Sequence, residues 1–265
     1  MPVERNIFMT IEYDGSDFCG WQRQPNVRTV QGRLEEVLSR VCGTPVKISG
    51  TSRTDAGVHA LGQCASFRGE FGIPTERIMP AANNILVGGR QALKGIGDVR
   101  ITSLREVGPD FHARFNACGK KYRYVIRNLP EPDIFRRNYC YQIPQSLDVE
   151  AMREAAAYIV GTHDFKCFQA AGGEEKETTV RTVHRLRIDR RGENVEIEIS
   201  GDGFLYNMVR IITGTLVEVG LGKRAPADLE AVIAGRNRQK AGHTAPAAGL
   251  YLVEVYYDRQ RQIEE

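Results

Sequence analysis

Asp55 is the one carboxylate in the run Gly50-Thr51-Ser52-Arg53-Thr54-Asp55-Ala56-Gly57-Val58-His59-Ala60. Around it stand an arginine, hydroxyls and glycine, a composition that lets a loop aim an acid at a bound ligand. Arg53, two residues earlier, can hold the carboxylate ionised or grip a phosphate, and Gly57 relaxes the limits on φ just beyond it. The same residue types also fit an aspartate that only caps a turn through its own backbone. His59 divides in the same way: it lines the Asp55 pocket, or it hydrogen-bonds the loop backbone.

Arg210 is the second residue whose surroundings call for an explanation. Met208, Val209, Ile211, Ile212, Leu216, Val217 and Val219 leave a helix expected from about Tyr206 to Val219 with almost no polar face. A guanidinium there keeps its proton, and an unpaired buried charge is costly, so it requires an acceptor. Glu218 lies two turns along and out of register, whereas a carboxylate from the other half of the chain would serve, and Asp55 is the candidate. An ion pair with some other acid, or a side chain that snorkels to solvent, is the plainer alternative.

A third signal runs from His112 to Arg127, where Arg114, Lys120, Lys121, Arg123 and Arg127 occur without an acid and Phe115, Tyr122 and Tyr124 are interleaved. Cations for phosphates beside rings for bases suit RNA; a solvated basic strand with core aromatics gives the same pattern. The net charge of +3 does not by itself announce nucleic acid. Cys19, Cys42, Cys64, Cys118, Cys140 and Cys167 show no Cys-x-x-Cys pair and no short Cys/His spacing, so reduced thiols and no metal are expected.

Elements must hold these residues in place. The chain of 265 residues, 42% hydrophobic and 26% charged, suits one large globular domain or two ordinary ones. Met1-Pro2-Val3-Glu4-Arg5-Asn6 lacks the basic and then apolar layout of a leader, and no stretch approaches the ~20 apolar residues of a membrane span. A cytoplasmic protein is expected. Alternation predicts strands at Asn6 to Tyr13, Val46 to Ser49, Gln63 to Arg68 and Val99 to Val107. Helical spacing marks Val30 to Val41, capped by Thr29 and Gly43, and Thr75 to Ile85. The order is βαββαβ.

Beyond Gly108-Pro109 the plan repeats with longer connections. Strands are expected at Lys121 to Arg127 and Tyr139 to Ile143, and a helix capped by Asp148 carries Val149, Met152, Ala155, Ala156, Ile159 and Val160. Val183 to Asp189 and Val195 to Ser200 form a hairpin. After the apolar helix come a short helix between Pro226 and Gly235 and a closing strand, Leu250 to Tyr256. The expectation is an α+β protein in two halves, 1–108 and 109–265, with largely antiparallel sheets.

Arg53-Thr54-Asp55-Ala56-Gly57-Val58-His59-Ala60 resembles the signature of the TruA family of tRNA pseudouridine synthases, and the likeness continues in order along nearly the whole chain. It runs through Glu12-Tyr13-Asp14-Gly15, Gly20-Trp21-Gln22-Arg23-Gln24, Asp110-Phe111-His112-Ala113-Arg114-Phe115, Lys120-Lys121-Tyr122-Arg123-Tyr124, Gly161-Thr162-His163-Asp164-Phe165, Asn207-Met208-Val209-Arg210 and Gly249-Leu250-Tyr251-Leu252. Ser52 departs from the glycine that family members often carry before the arginine. The resemblance implies two ferredoxin-like halves whose sheets join side by side, with helices packed on them and a basic cleft between, in a homodimer.

It also implies an isomerase acting on uridines 38, 39 and 40 of the tRNA anticodon arm without metal, nucleotide or other cofactor, and no membrane. Asp55 would be the catalytic aspartate, Arg210 its partner, Tyr122 the residue that stacks on the target base and a candidate for handling the C5 proton, Arg53 the brace for a flipped nucleotide, and Leu250 an apolar wall. Asp55 has two routes open, attack at C1′ or removal of the C2′ proton. A non-catalytic RNA-binding module of ferredoxin-like type is the alternative. A hydrolase would carry paired carboxylates or metal-ligand spacing, which are not apparent.

Overall fold

The computed structural model describes residues 4–88, 97–173 and 177–258, so Met1–Val3 lie outside the described residues. The chain forms two compact units. One runs to Ala117 and takes in Leu252–Tyr257; the other is Cys118–Tyr251.

The first unit is built on β1 (Arg5–Tyr13), α1 (Val30–Cys42), β2 (Ser49–Gly50), β3 (His59–Gly69), α2 (Thr75–Leu86) and β4 (Val99–Val107). β1 lies between β3 and β4, antiparallel to both, with Met9 opposite Ala65 on one side and Leu104 on the other. Ile7, Met9 and Ile11 are fully buried, as expected of a central strand. The last strand of the chain, β10 (Leu250–Tyr256), comes alongside β3. The expected caps of α1 are present: Gly32 N–H donates to Thr29 Oγ1 at 3.2 Å, and Gly43 closes the helix with φ 69°. α2 is fastened to β4 by Asn83, whose amide both donates to Ile101 O and accepts from Ile101 N, each at 2.9 Å.

One expected strand contracts. Val46 to Ser49 was to be a strand, and only Ser49–Gly50 pairs with β3. Val46 and Ile48 are buried as their residue types require, but their backbone groups find partners on α1 instead of in a ladder. Val46 N–H donates to Ser39 Oγ at 2.9 Å, Ile48 N–H to Glu35 Oε1 at 3.0 Å, and Ile48 O accepts from Gln31 Nε2 at 3.1 Å.

The second unit holds β5 (Gly119–Arg127), β6 (Tyr141–Gln142), α3 (Val149–Ala157), β7 (Gly161–Asp164), β8 (Val180–Arg191), β9 (Asn194–Gly201), α4 (Met208–Gly220) and α5 (Asp228–Gly235). Its strands run in the order β5-β9-β8-β7 and are antiparallel, while β6 lies parallel to β5. The expected hairpin is β8–β9, and Asp148 caps α3 by accepting from Ala151 N at 3.0 Å. Tyr139 to Ile143 pairs only at Tyr141–Gln142. β7 and a 3-10 turn at Phe165–Phe168 were not anticipated, because four residues of mixed polarity carry no period. The protein is α+β with a mostly antiparallel sheet, and no helix among the described residues is long and apolar enough to cross a membrane.

Candidate active site

Between β2 and β3 the chain runs as an extended loop whose burial alternates. Ser52 and Thr54 are buried, Arg53 is exposed, and Asp55 is half-buried. Alternation follows from the extended backbone, which sends successive side chains to opposite sides. The inward residues are held. Thr54 Oγ1 shares a 2.7 Å hydrogen bond with Tyr13 Oη, and Thr54 O accepts from Trp21 N at 3.0 Å. The turn after the acid is closed by Val58 N–H donating to Asp55 O at 3.1 Å, with Gly57 at φ 77° in the region that favours glycine.

Most of the segments that hold this loop are among those that carried the resemblance, Tyr257 being the exception. Gly20, at φ 84°, passes so close that a Cβ there would fall 2.7 Å from Thr54 O. The Trp21 ring covers Gly50, where a Cβ would fall 2.4 Å from it. Gly15 N–H donates to His59 Nδ1 at 3.1 Å, and Asp14 Oδ1 lies 3.2 Å from the same nitrogen, so a buried His59 bonds the backbone of the adjoining segment. Ala113, fully buried, accepts through its carbonyl from Thr51 Oγ1 at 3.1 Å and from the Tyr257 hydroxyl at 2.9 Å. Phe111 packs against Phe8 and Tyr257 with ring centroids 5.1 and 5.4 Å away. Four stretches of the chain outside the loop thus converge on one backbone.

In the second unit, Arg210 is half-buried near the start of α4 and has acceptors of its own. Its Nε donates to Ala245 O and its Nη1 to Asn207 Oδ1, both at 2.7 Å, while Ala245 N–H returns a bond to Arg210 O at 3.1 Å. Glu218 is engaged elsewhere, accepting from Arg224 Nη2 at 3.2 Å and from His243 N at 3.2 Å. The next residue after Ala245 is tied to β5: the Tyr124 hydroxyl donates to Pro246 O at 2.7 Å, and its ring fills the space above Gly249, where a Cβ would fall 2.7 Å from it. Burial pushes the Tyr124 hydroxyl pKa well up, with the Arg210 guanidinium acting in the opposite direction. Arg210 and Tyr124 together therefore fix the approach to Leu250, which is buried at the start of β10.

Tyr122 shares a face of β5 with Tyr124. It is 8% exposed and meets Phe204 edge to face, with centroids 5.3 Å apart. The three aromatics of the basic run thus part company. Tyr124 is a core residue, as the plainer reading had it, and Phe115 is 76% exposed with the Arg114 guanidinium 5.9 Å from its ring centroid. Lys120, Lys121, Arg123 and Arg127 are half-buried along β5, with Arg127 paired to Glu193. Four of the six cysteines are buried, and burial raises the Cys64 and Cys167 thiols to about 11.

Arg53 and Asp55 stand together in the first unit; Tyr122, Arg210 and Leu250 belong to the second. Tyr13, Trp21 and Gln63 carry no role in the sequence reading. The signal available for them was their place inside the resembling segments or, for Gln63, a lone amide in the otherwise small and apolar run Gln63-Cys64-Ala65-Ser66-Phe67.

A family model described as tRNA pseudouridine synthase matches residues 9–116 and 155–258. These segments contain Arg53, Asp55, Arg210 and Leu250; Tyr122 falls between them. The tRNA pseudouridine synthase A of Acetivibrio thermocellus is 47% identical over 253 residues, covering 96% of this chain and 100% of its own. That of Ruminiclostridium cellulolyticum is 46% identical over 254 residues, with the same coverage. The tRNA pseudouridine synthase A of Geobacillus kaustophilus is 46% identical over 257 residues, covering 97% of this chain and 96% of its own.

Proposed function

The chain belongs to the tRNA pseudouridine synthase family, and from that premise we propose that it isomerises uridine to pseudouridine in the anticodon arm of tRNA, at positions 38, 39 and 40, with Asp55 as its one catalytic aspartate. The observation that carries the reading is the Asp55 loop. Its inward side chains and its backbone are tied to four other segments, with Arg53 exposed and Asp55 half-buried between those anchors. A carboxylate on so constrained a backbone is pre-organised for a reacting atom.

The reaction breaks the N1–C1′ bond, turns the uracil, joins C5 to C1′ and releases the C5 proton. It is redox-neutral and calls for no cofactor. Asp55 engages the sugar, either as nucleophile at C1′ or as base at C2′. Arg210 is its proposed ionic partner, and the bonds it donates to Asn207 and Ala245 set the direction of that guanidinium. Tyr122 supplies a fixed ring against the uracil and Leu250 an apolar wall, which keep the detached base from escaping. A base inside a stem is out of reach, so the nucleotide is extruded, and Arg53, exposed on the loop, braces the vacated place.

The two units are proposed to be ferredoxin-like halves with a basic cleft, a reading supported by the βαββαβ order of residues 5–107. Neighbouring uridines are accepted because the arm is gripped by shape and phosphates rather than by base edges. Mapping pseudouridine in unmodified tRNA incubated with the protein alone tests this. Product confined to positions 38 to 40 is expected. Binding without product would favour an RNA-binding module, and free uracil a hydrolase.

A further inference from the structure

We infer that Gln63 is the positioning residue of the Asp55 loop, through a side-chain amide that continues the β2–β3 ladder where the backbone ladder stops. The inference rests on the reading of Asp55 given above. β2 pairs with β3 at Ser49–Ser66 and Gly50–Ala65, and Thr51 N–H adds one more bond to Cys64 O at 2.9 Å. Beyond that point the loop leaves the strand, and Ser52, opposite Gln63 in the register, bonds to the side chain of that residue. Gln63 Nε2 donates to Ser52 O at 2.7 Å, and its Oε1 accepts from Ser52 N at 3.2 Å, the pair of bonds a neighbouring peptide would offer. The same Oε1 accepts from Cys64 N at 3.2 Å, which locks the amide to its own strand.

Gln63 is 0% exposed, so none of this is done for contact with solvent. A buried carboxamide is retained at a cost unless its bonds are met, and here each of its two ends is bonded to backbone. Ser52 is held from one side by Gln63, and Thr54, two residues on, from the other by Tyr13 and Trp21. Arg53 and Asp55 are the residues that alternate with these two anchors. Loss of the Ser52 anchor frees the loop on the side that leads into Arg53 and Asp55 while leaving the Thr54 anchor and the turn after Asp55 in place. Misplacement of a reacting group by about 1 Å lowers a rate by up to about 100-fold without altering the groups that bind substrate.

The test uses Gln63→Met, which keeps an unbranched side chain and removes the amide, and Gln63→Asn, which keeps the amide and loses its reach. The single-turnover rate at saturating tRNA should fall about 10- to 100-fold in each, with the dissociation constant for tRNA within about threefold of wild type. Trp21, the one tryptophan of the chain, lies over Gly50 and bonds Thr54, so acrylamide quenching of its emission should rise in both variants. A rate within about twofold of wild type in either folded variant overturns the inference, as does failure of both to fold, which would assign Gln63 to the fold at large. Asp55→Asn assayed alongside separates the two readings: an active Asp55→Asn defeats the site assignment, whereas an inactive Asp55→Asn beside active Gln63 variants defeats only the role of Gln63.

Discussion

Tyr122 offers a hydroxyl and a ring that can be separated by substitution. The ring is packed edge-on against Phe204 and mostly buried, so Tyr122→Phe should leave the fold and the uracil wall intact. We expect Tyr122→Phe to keep tRNA affinity within a few-fold and to slow single-turnover chemistry by about 10-fold or more, and Tyr122→Ala also to weaken capture of the flipped base by about 1–3 kcal/mol. A wild-type single-turnover rate in Tyr122→Phe would leave the hydroxyl without a part in the reaction. Type and spacing single out Arg53 and Asp55 as candidates without separating a reactive acid from a turn cap, and Arg210 stands out as a charge in an apolar run. Gln63 did not stand out, and Tyr124 was legible only as a core aromatic, because their bonds and contacts are made to Ser52, Pro246 and Gly249, partners that no local pattern connects to them.

Helices and most strands followed from periodicity and caps. α1 begins after Thr29 and ends at Gly43 because both termini carry residues that satisfy free backbone groups, and β4 and β10 end where alternation ends. What escaped was decided by distant partners: Val46 to Ile48 bonds to α1 side chains, and β7 exists because β8 offers it a ladder at Gly161 to Asp164. Asp164 joins these elements. It caps the 3-10 turn by accepting from Lys166 N at 3.2 Å, accepts from the Thr179 hydroxyl, and pairs with Arg236 Nε at 3.1 Å. The Thr179 bond foremost, then the Lys166 amide and Arg236, hold its carboxyl below the usual range. A carboxyl whose folded pKa is depressed stabilises fully above its unfolded pKa, about 3.9, and loses that contribution as pH falls through the folded value. Asp164→Ala should therefore cost about 1 kcal/mol at neutral pH, and the gap to wild type in urea melts should narrow below about pH 4. A gap constant from neutral to acid pH would contradict this account of the turn.

For the molecule as a whole, the α+β class was legible in the order of elements. The return of the last strand to the first unit was not, because pairing of β10 beside β3 joins residues nearly two hundred positions apart and leaves no trace in spacing. A folded tRNA read by shape is gripped better if a second copy supplies part of the wall, so a C2 dimer is expected, with about twice the monomer mass by light scattering at micromolar concentration. Full activity at the monomer mass would contradict it. The central claim is that Asp55, on its fixed loop, performs the isomerisation while tRNA is held by phosphate contacts elsewhere. The most direct measurement pairs pseudouridine yield with tRNA binding for Asp55→Asn, which keeps the shape and removes the charge. We predict no detectable pseudouridine at any time point and a tRNA affinity within a few-fold of wild type; turnover at the wild-type rate would contradict the account.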